Sequence, residues 1–226
     1  MQDMEIQNKI RPIHDKSVRI PLEEIILEGR LTVPKTAHGL VIFAHGSGSS
    51  RFSSRNWYVA EILHDQHIAT LLTDLLTIEE EQIDLQTRHL RFDIPLLADR
   101  LVGLAAWAKN DPRTKNLKIG YFGSSTGGGA ALIAAAKKPD DIAAVVSRGG
   151  RPDLAGDDLP RVKAPSLLIV GERDTTVLKL NQLALTHLNK RSELHIVPGA
   201  THLFEEPGTL KIAALDAMKW FKHYLE

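Results

Sequence analysis

Residues 118–137 read KIGYFGSSTGGGAALIAAAK, and this stretch decides the fold. LKIGYFG, ending at Gly123, is an apolar run of the kind a strand buried on both faces requires. TGGGAALIAAAKK, which follows, is rich in small residues and predicts a helix over 126–137. Between them Gly123-Ser124-Ser125-Thr126-Gly127 must turn the chain in very little space. A strand passing straight into a helix here lifts the Ser125 Oγ clear of the sheet. Side chains two positions before and two after would collide, so both are glycine. That spacing singles out Ser125, rather than neighbouring Ser124, as the candidate nucleophile. The backbone N–H of Thr126 opens the helix and faces the place where a carbonyl oxygen would lie, and the helix dipole favours negative charge there.

Working outward, short apolar runs bounded by glycine or polar turns recur from Gly39: GLVIFAHG, ATLLTDLL, IAAVVSRGG, SLLIVG and LHIVPG. Helical spacing lies between them, over 55–66, 90–109, 126–137, 177–190 and 208–225. The alternation predicts an α/β domain, a mostly parallel sheet with helices on both faces. Upstream, SVRIPLEEIILEGRLTVP carries two strand-like pieces that predict an antiparallel hairpin at a sheet edge. Residues 1–16 read as a polar lead-in, leaving 17–226 as a single domain. Such sheets bind ligands in the loops beyond the carboxyl ends of their strands.

Composition narrows the chemistry. Lys+Arg and Asp+Glu each total 28, so the net charge is zero and nothing electrostatic points to nucleic acid or an anionic membrane. The 226 residues include no cysteine, which excludes disulfides, thiolate nucleophiles and Cys-ligated zinc. No run of about 18 apolar residues is present to span a membrane. The N-terminal MQDMEIQNKIRPIHDKS mixes both charge signs without an apolar core, so no secretory signal is expected and a cytoplasmic location is.

A serine hydroxyl needs a neighbouring base, usually a histidine held by a carboxylate, in the chain order Ser, Asp or Glu, His. After Lys163 the histidines are His187, His195, His202 and His223. His202 alone directly follows a strand end, in LHIVPGATHLFEEPG, which brings it to the same sheet edge as Ser125. SLLIVGERDTTV sets Glu172 and Asp174 just past another strand end. Asp174, deeper in the loop and followed by two threonines, is the preferred acid, with Glu172 the alternative. Asp153, Asp157 and Asp158 fall in a polar loop ahead of that strand.

The remaining loop is His45-Gly46-Ser47-Gly48-Ser49-Ser50. Its glycines allow close approach to a ligand, and the N–H of Ser47 is the candidate second oxyanion donor beside that of Thr126. His45 is read as fixing the turn. Gly46-x-Gly48 opens like a dinucleotide fingerprint, but residue 51 is Arg51 where glycine is required. His64 and His67 share a helical i, i+3 spacing, with no cluster of acids to complete a metal site, and are read as surface residues. Arg148 and Arg151, in SRGGRPDL after a strand end, are candidate substrate-binding residues for a carboxylate. Arg51 and Arg55 share that role more weakly.

AHGSG, GYFGSSTGGG, LLIVGERD and VPGATH follow one another over nearly the whole chain from about residue 20. In this the chain resembles the dienelactone hydrolase-like branch of the α/β-hydrolase superfamily. The resemblance implies an eight-stranded, mostly parallel sheet and a Ser125–Asp174–His202 triad. The name-giving enzymes use a cysteine nucleophile and this chain has a serine, so their lactone activity is not carried over. No large insertion separates IAAVVSRGG from SLLIVG, so no large cap domain is expected, and the site would be covered only by residues 77–95. The resulting expectation is an esterase-type serine hydrolase acting through an acyl-enzyme on a small ester, lactone or thioester, without cofactor or metal. The rivals are a non-catalytic binding module on the same fold and a peptidase with the same triad. Oligomeric state leaves no readable trace.

Overall fold

A computed structural model describes residues 14–226. Eight strands form one sheet: β1 (His14–Leu22), β2 (Ile25–Val33), β3 (Gly39–Ala44), β4 (Ile68–Thr73), β5 (Lys118–Ser124), β6 (Ile142–Arg148), β7 (Ser166–Gly171) and β8 (Glu193–Val197), in the spatial order β1-β2-β4-β3-β5-β6-β7-β8. β1 and β2 make the expected antiparallel hairpin at one edge. β2 joins β4 antiparallel, and from β4 onward every pairing is parallel. The lead-in expected over 1–16 falls outside the described residues as far as 13, and from His14 the chain is already in strand.

Five α-helices lie between the strands, α1 (Ser54–His64), α2 (Ile78–Thr87), α3 (Ile94–Asn110), α4 (Thr126–Lys137) and α5 (Thr175–Leu185), and α6 (Thr209–Leu225) follows the last strand. The central strands bury both faces, because successive side chains point to opposite sides. Leu40 and Ile42 of β3, with Ile119 and Tyr121 of β5, pack under α3 and α4 through Leu101, Leu104 and Leu132. Val41, Phe43 and Phe122 point the other way, onto Val59 and Leu63 of α1 and Phe221 of α6. Buried Tyr121 satisfies its hydroxyl by donating to the Leu101 carbonyl at 2.9 Å, which ties α3 to the strand that carries the elbow.

Local signals set the helix starts. Ser53 caps α1, its Oγ accepting from the Asn56 N–H at 3.3 Å. Asp93 caps α3 ahead of Pro95, and Thr77 and Glu80 close a capping box on α2. β6 and β7 are joined by a 3-10 helical segment, Pro152–Arg161, where a polar loop is expected from the sequence. No large cap is inserted there, in keeping with the α/β-hydrolase architecture. Among the described residues no helix is long and apolar enough to cross a membrane.

Candidate active site

β5 delivers Ser125 to a turn that only glycine neighbours permit. A Cβ on Gly123 would lie 2.4 Å from the Gly127 carbonyl oxygen, and one on Gly127 would lie 2.3 Å from that of Ala44. Ser125 itself takes φ 52° and ψ −123°, a conformation that costs an L-residue on the order of 1–3 kcal/mol. Its backbone is pinned on both sides. The Ser125 N–H donates to the Arg148 carbonyl at 3.2 Å, and its own carbonyl accepts from the Gly128 and Arg151 N–H groups at 3.0 Å each.

The candidate acid and the candidate base come from the next loops along the sheet edge. His202 Nδ1 lies 2.6 Å from Asp174 Oδ2. An ionised carboxylate only accepts, so Nδ1 carries the proton and Nε2 is left as the basic nitrogen. Asp174 stands at the N-cap of α5 but makes no side-chain cap bond, which leaves its carboxylate for the imidazole. Glu172 is engaged elsewhere, accepting from the Gly199 N–H at 2.8 Å. Glu206 accepts from the Thr201 N–H at 3.0 Å, and that backbone bond holds its carboxyl below the usual range. Glu172 and Glu206 thus brace the loop on which His202 stands, while Asp174 alone touches the ring. Ser125 and His202 line one cavity of about 340 Å³, together with Asn56, Ser124, Arg148 and Leu203. No direct bond joins Ser125 Oγ to His202 among the described residues, and such contacts commonly tighten only when substrate binds.

Residues 46–49 form another wall of this cavity. The Ser47 N–H donates to Thr126 Oγ1 at 2.9 Å, so one candidate oxyanion donor is occupied by the side chain of the other. His45 has both ring nitrogens engaged: Nδ1 faces the Gly46 carbonyl at 3.0 Å, and Nε2 accepts from the Leu75 N–H at 3.3 Å. Burial pushes its pKa down, which keeps the ring neutral in its turn-fixing role.

The two arginines part company. Arg151 makes a bidentate pair with Asp153, at 2.8 and 2.7 Å, and does not line the cavity. The neighbouring acid takes up the guanidinium that the sequence offered to substrate. Arg148 is only 7% exposed and has no carboxylate partner among the described residues. Its Nη2 donates to Ser124 Oγ at 3.1 Å and Asn56 Oδ1 at 3.4 Å, its Nη1 is buried without an acceptor, and the Phe122 and Phe204 rings flank it. Burial, then the nearby charge of Arg55, brings its pKa down to about 10, so it remains charged at neutral pH. Arg51 is tied to Asp74 and Glu28, and Arg55 lies 3.6 Å from Glu205. His64 is partly buried and bonds Thr70 Oγ1 at 2.7 Å, a structural contact that the surface reading missed. Asn56 and Ser124 also escaped sequence reasoning as site residues: one reads as an ordinary polar helix position, the other as the losing serine of the motif. Among the described residues no three His, Asp or Glu side chains gather as a metal site.

Comparisons with known proteins agree with this fold. A crystal structure of dienelactone hydrolase from Anabaena variabilis superposes with a TM-score of 0.94 at 58% identity, covering 96% of this chain and all of that one. Est1E from Butyrivibrio proteoclasticus, at 18% identity, shares the fold alone, with a TM-score of 0.77 over 92% of this chain and 98% of its own. A relative from Mycobacterium tuberculosis, named "Putative phosphoribosyl transferase", is 54% identical over 214 residues, or 95% of this chain and 47% of its own length. The chain therefore spans about half of that relative. Family and fold together support a hydrolase. The model of the dienelactone hydrolase family matches residues 56–225, well over half of the sequence, and the chain belongs to that family.

Proposed function

We propose that this chain is a serine hydrolase that cleaves ester-type bonds of a small substrate through an acyl-enzyme. The observation that carries the reading is the Asp174–His202 pair, at 2.6 Å, opening on the cavity that Ser125 enters from a strained elbow. His202 Nε2 takes the Ser125 Oγ proton as Oγ bonds to the carbonyl carbon. The same nitrogen then protonates the leaving oxygen as its bond to carbon breaks. Water, deprotonated by Nε2, next attacks the acyl carbon and releases the acid, restoring Ser125. Asp174 holds the tautomer and stabilises the imidazolium. The Thr126 N–H, first of α4, faces the oxyanion, and the Ser47 N–H joins it once the Thr126 hydroxyl turns away. Nucleophile, base and donors all come from the chain, so the steps draw on no cofactor.

A non-catalytic module would have no use for a strained Ser125, which weighs against that rival. The transferase name of the M. tuberculosis relative describes a chain about twice as long, and the hydrolase reading rests on the cavity of this one. The test is release of 4-nitrophenolate from 4-nitrophenyl acetate. Turnover above buffer that a serine-directed sulfonyl fluoride abolishes is expected, and no turnover across an ester panel contradicts it.

Arg148 gives the substrate a further feature, an anionic group. A buried cation without a counter-charge bears a desolvation cost that no ion pair repays, and even buried ion pairs are often replaced by apolar residues of like volume at no cost or with a gain of about 1–4 kcal/mol. Arg148→Met is accordingly expected to raise stability by about 1–2 kcal/mol. It should also lower kcat/KM for monomethyl adipate about 10²-fold relative to methyl hexanoate, its uncharged isostere. Lower stability with both esters equally affected would make Arg148 a structural residue.

A further inference from the structure

A second cavity, of about 380 Å³, lies beside the first and shares residues 46–49 and Ser53 with it. The loop that carries the Ser47 N–H is thus a partition with space on both sides. Phe52, Leu76, Leu85 and Leu97 supply apolar wall to this second space, within the size range of small-molecule sites. Its roof is α2, a helix built the wrong way round for its position. Surface helices normally turn an apolar stripe inward. In α2 only Asp84 is buried, while Ile78, Ile83 and Leu85 are exposed. The helix is held by polar clamps: Asp84 against Arg91, and Glu80 against Arg100 at 2.6 Å. Phe52, 71% exposed, and Leu85, 66% exposed, stand at the mouth of the cavity. Two large apolar side chains left in water beside a site are surface that a ligand would cover.

We infer that this second cavity binds a compact apolar group of the substrate, a short alkyl chain or an aromatic ring, carried on one side of the bond that is cleaved. The shared edge with the Ser125 cavity decides the occupant. A group seated under α2 lies just across the shared edge of residues 46–49 from a carbonyl held over Ser125, whereas a partner protein docked on Phe52 and Leu85 gains nothing from that proximity. The word substrate rests on the hydrolase reading; the preference of the cavity for an apolar group does not. The polar clamps make the roof a surface feature, so changes at Phe52 and Leu85 leave the core and the reacting groups untouched.

Phe52→Ser/Leu85→Ser is the test. With 4-nitrophenyl esters from acetate to hexanoate, and in parallel alkyl acetates from ethyl to hexyl, the native protein should gain about fourfold in kcat/KM for each methylene that enters the cavity, in one of the two series. The double variant should keep ethyl acetate turnover within about twofold and lose that gain. A native protein without chain-length preference in either series, or a preference the variant retains, overturns the inference. Binding of neutral N-phenyl-1-naphthylamine to a Ser125→Ala background, followed by fluorescence, answers without catalysis. At least tenfold weaker binding in the variant supports the inference even if no ester is hydrolysed, in which case the hydrolase reading alone fails. A change of oligomeric mass on light scattering, with dye binding and selectivity unchanged, would assign the patch to a second copy and overturn it too.

Discussion

Ser125→Ala and His202→Ala are each expected to reduce kcat for 4-nitrophenyl acetate by about 10⁶-fold, and the double variant to be no slower than either alone. Nucleophile and base act as one unit, since neither attacks without the other, so the second loss removes nothing that the first left behind. Asp174→Asn should be milder, at about 10⁴-fold, because the imidazole survives but loses the acceptor that holds its Nδ1 proton at 2.6 Å. Glu172→Gln separates the two acids of that loop. Its oxygen accepts from the Gly199 N–H and does not touch His202, so its effect should stay under about tenfold. Additive losses from Ser125 and His202, or an Asp174→Asn variant as active as Glu172→Gln, would break up the proposed unit.

The second large effect is on the elbow. Gly127→Ala adds one methyl, and its carbon would lie 2.3 Å from the Ala44 carbonyl oxygen and 2.6 Å from that of His45. Both are backbone atoms at the end of a fully buried strand, so no flexible side chain can yield. The end of β3, and with it the loop carrying Ser47, must move. A loss of about 3 kcal/mol is expected, at the upper end for one inserted methyl in a packed interior, or roughly 6–12 °C in Tm for a chain of this size. Activity should fall further than stability explains, because the proposed oxyanion donor, the Ser47 N–H, moves with the loop. Thermal denaturation and ester turnover on the same preparation check both. Unchanged Tm would mean that the turn tolerates a Cβ.

The elbow was legible because its constraint is local: a strand, a helix and two glycines at fixed spacing leave one conformation. The bounds of α4 and the succession of buried strands along the chain follow from the same kind of signal. α2 was not legible, for the opposite reason. IEEEQIDLQT has no apolar stripe to betray a helix, and only Thr77 and Glu80, the capping box, mark its start. Long-range pairing was equally invisible. Sequence brought Glu172 and Asp174 into one loop but could not say which side chain would meet His202 and which would meet Gly199. Nor could it foresee that Arg151 would be neutralised by Asp153, two residues away, while Arg148 would be buried with no acid beside it among the described residues. The fate of a charged side chain depends on what the fold brings beside it.

The proposed hydrolysis turns on Ser125 as the nucleophile. Incubation with a fluorophosphonate, followed by peptide mapping, tests this directly, since an activated serine oxygen bonds to the phosphorus as fluoride leaves. One adduct per chain is predicted, on Ser125, and none in Ser125→Ala. An unlabelled native protein that nonetheless hydrolyses 4-nitrophenyl acetate, or an adduct on any other residue, would contradict the account.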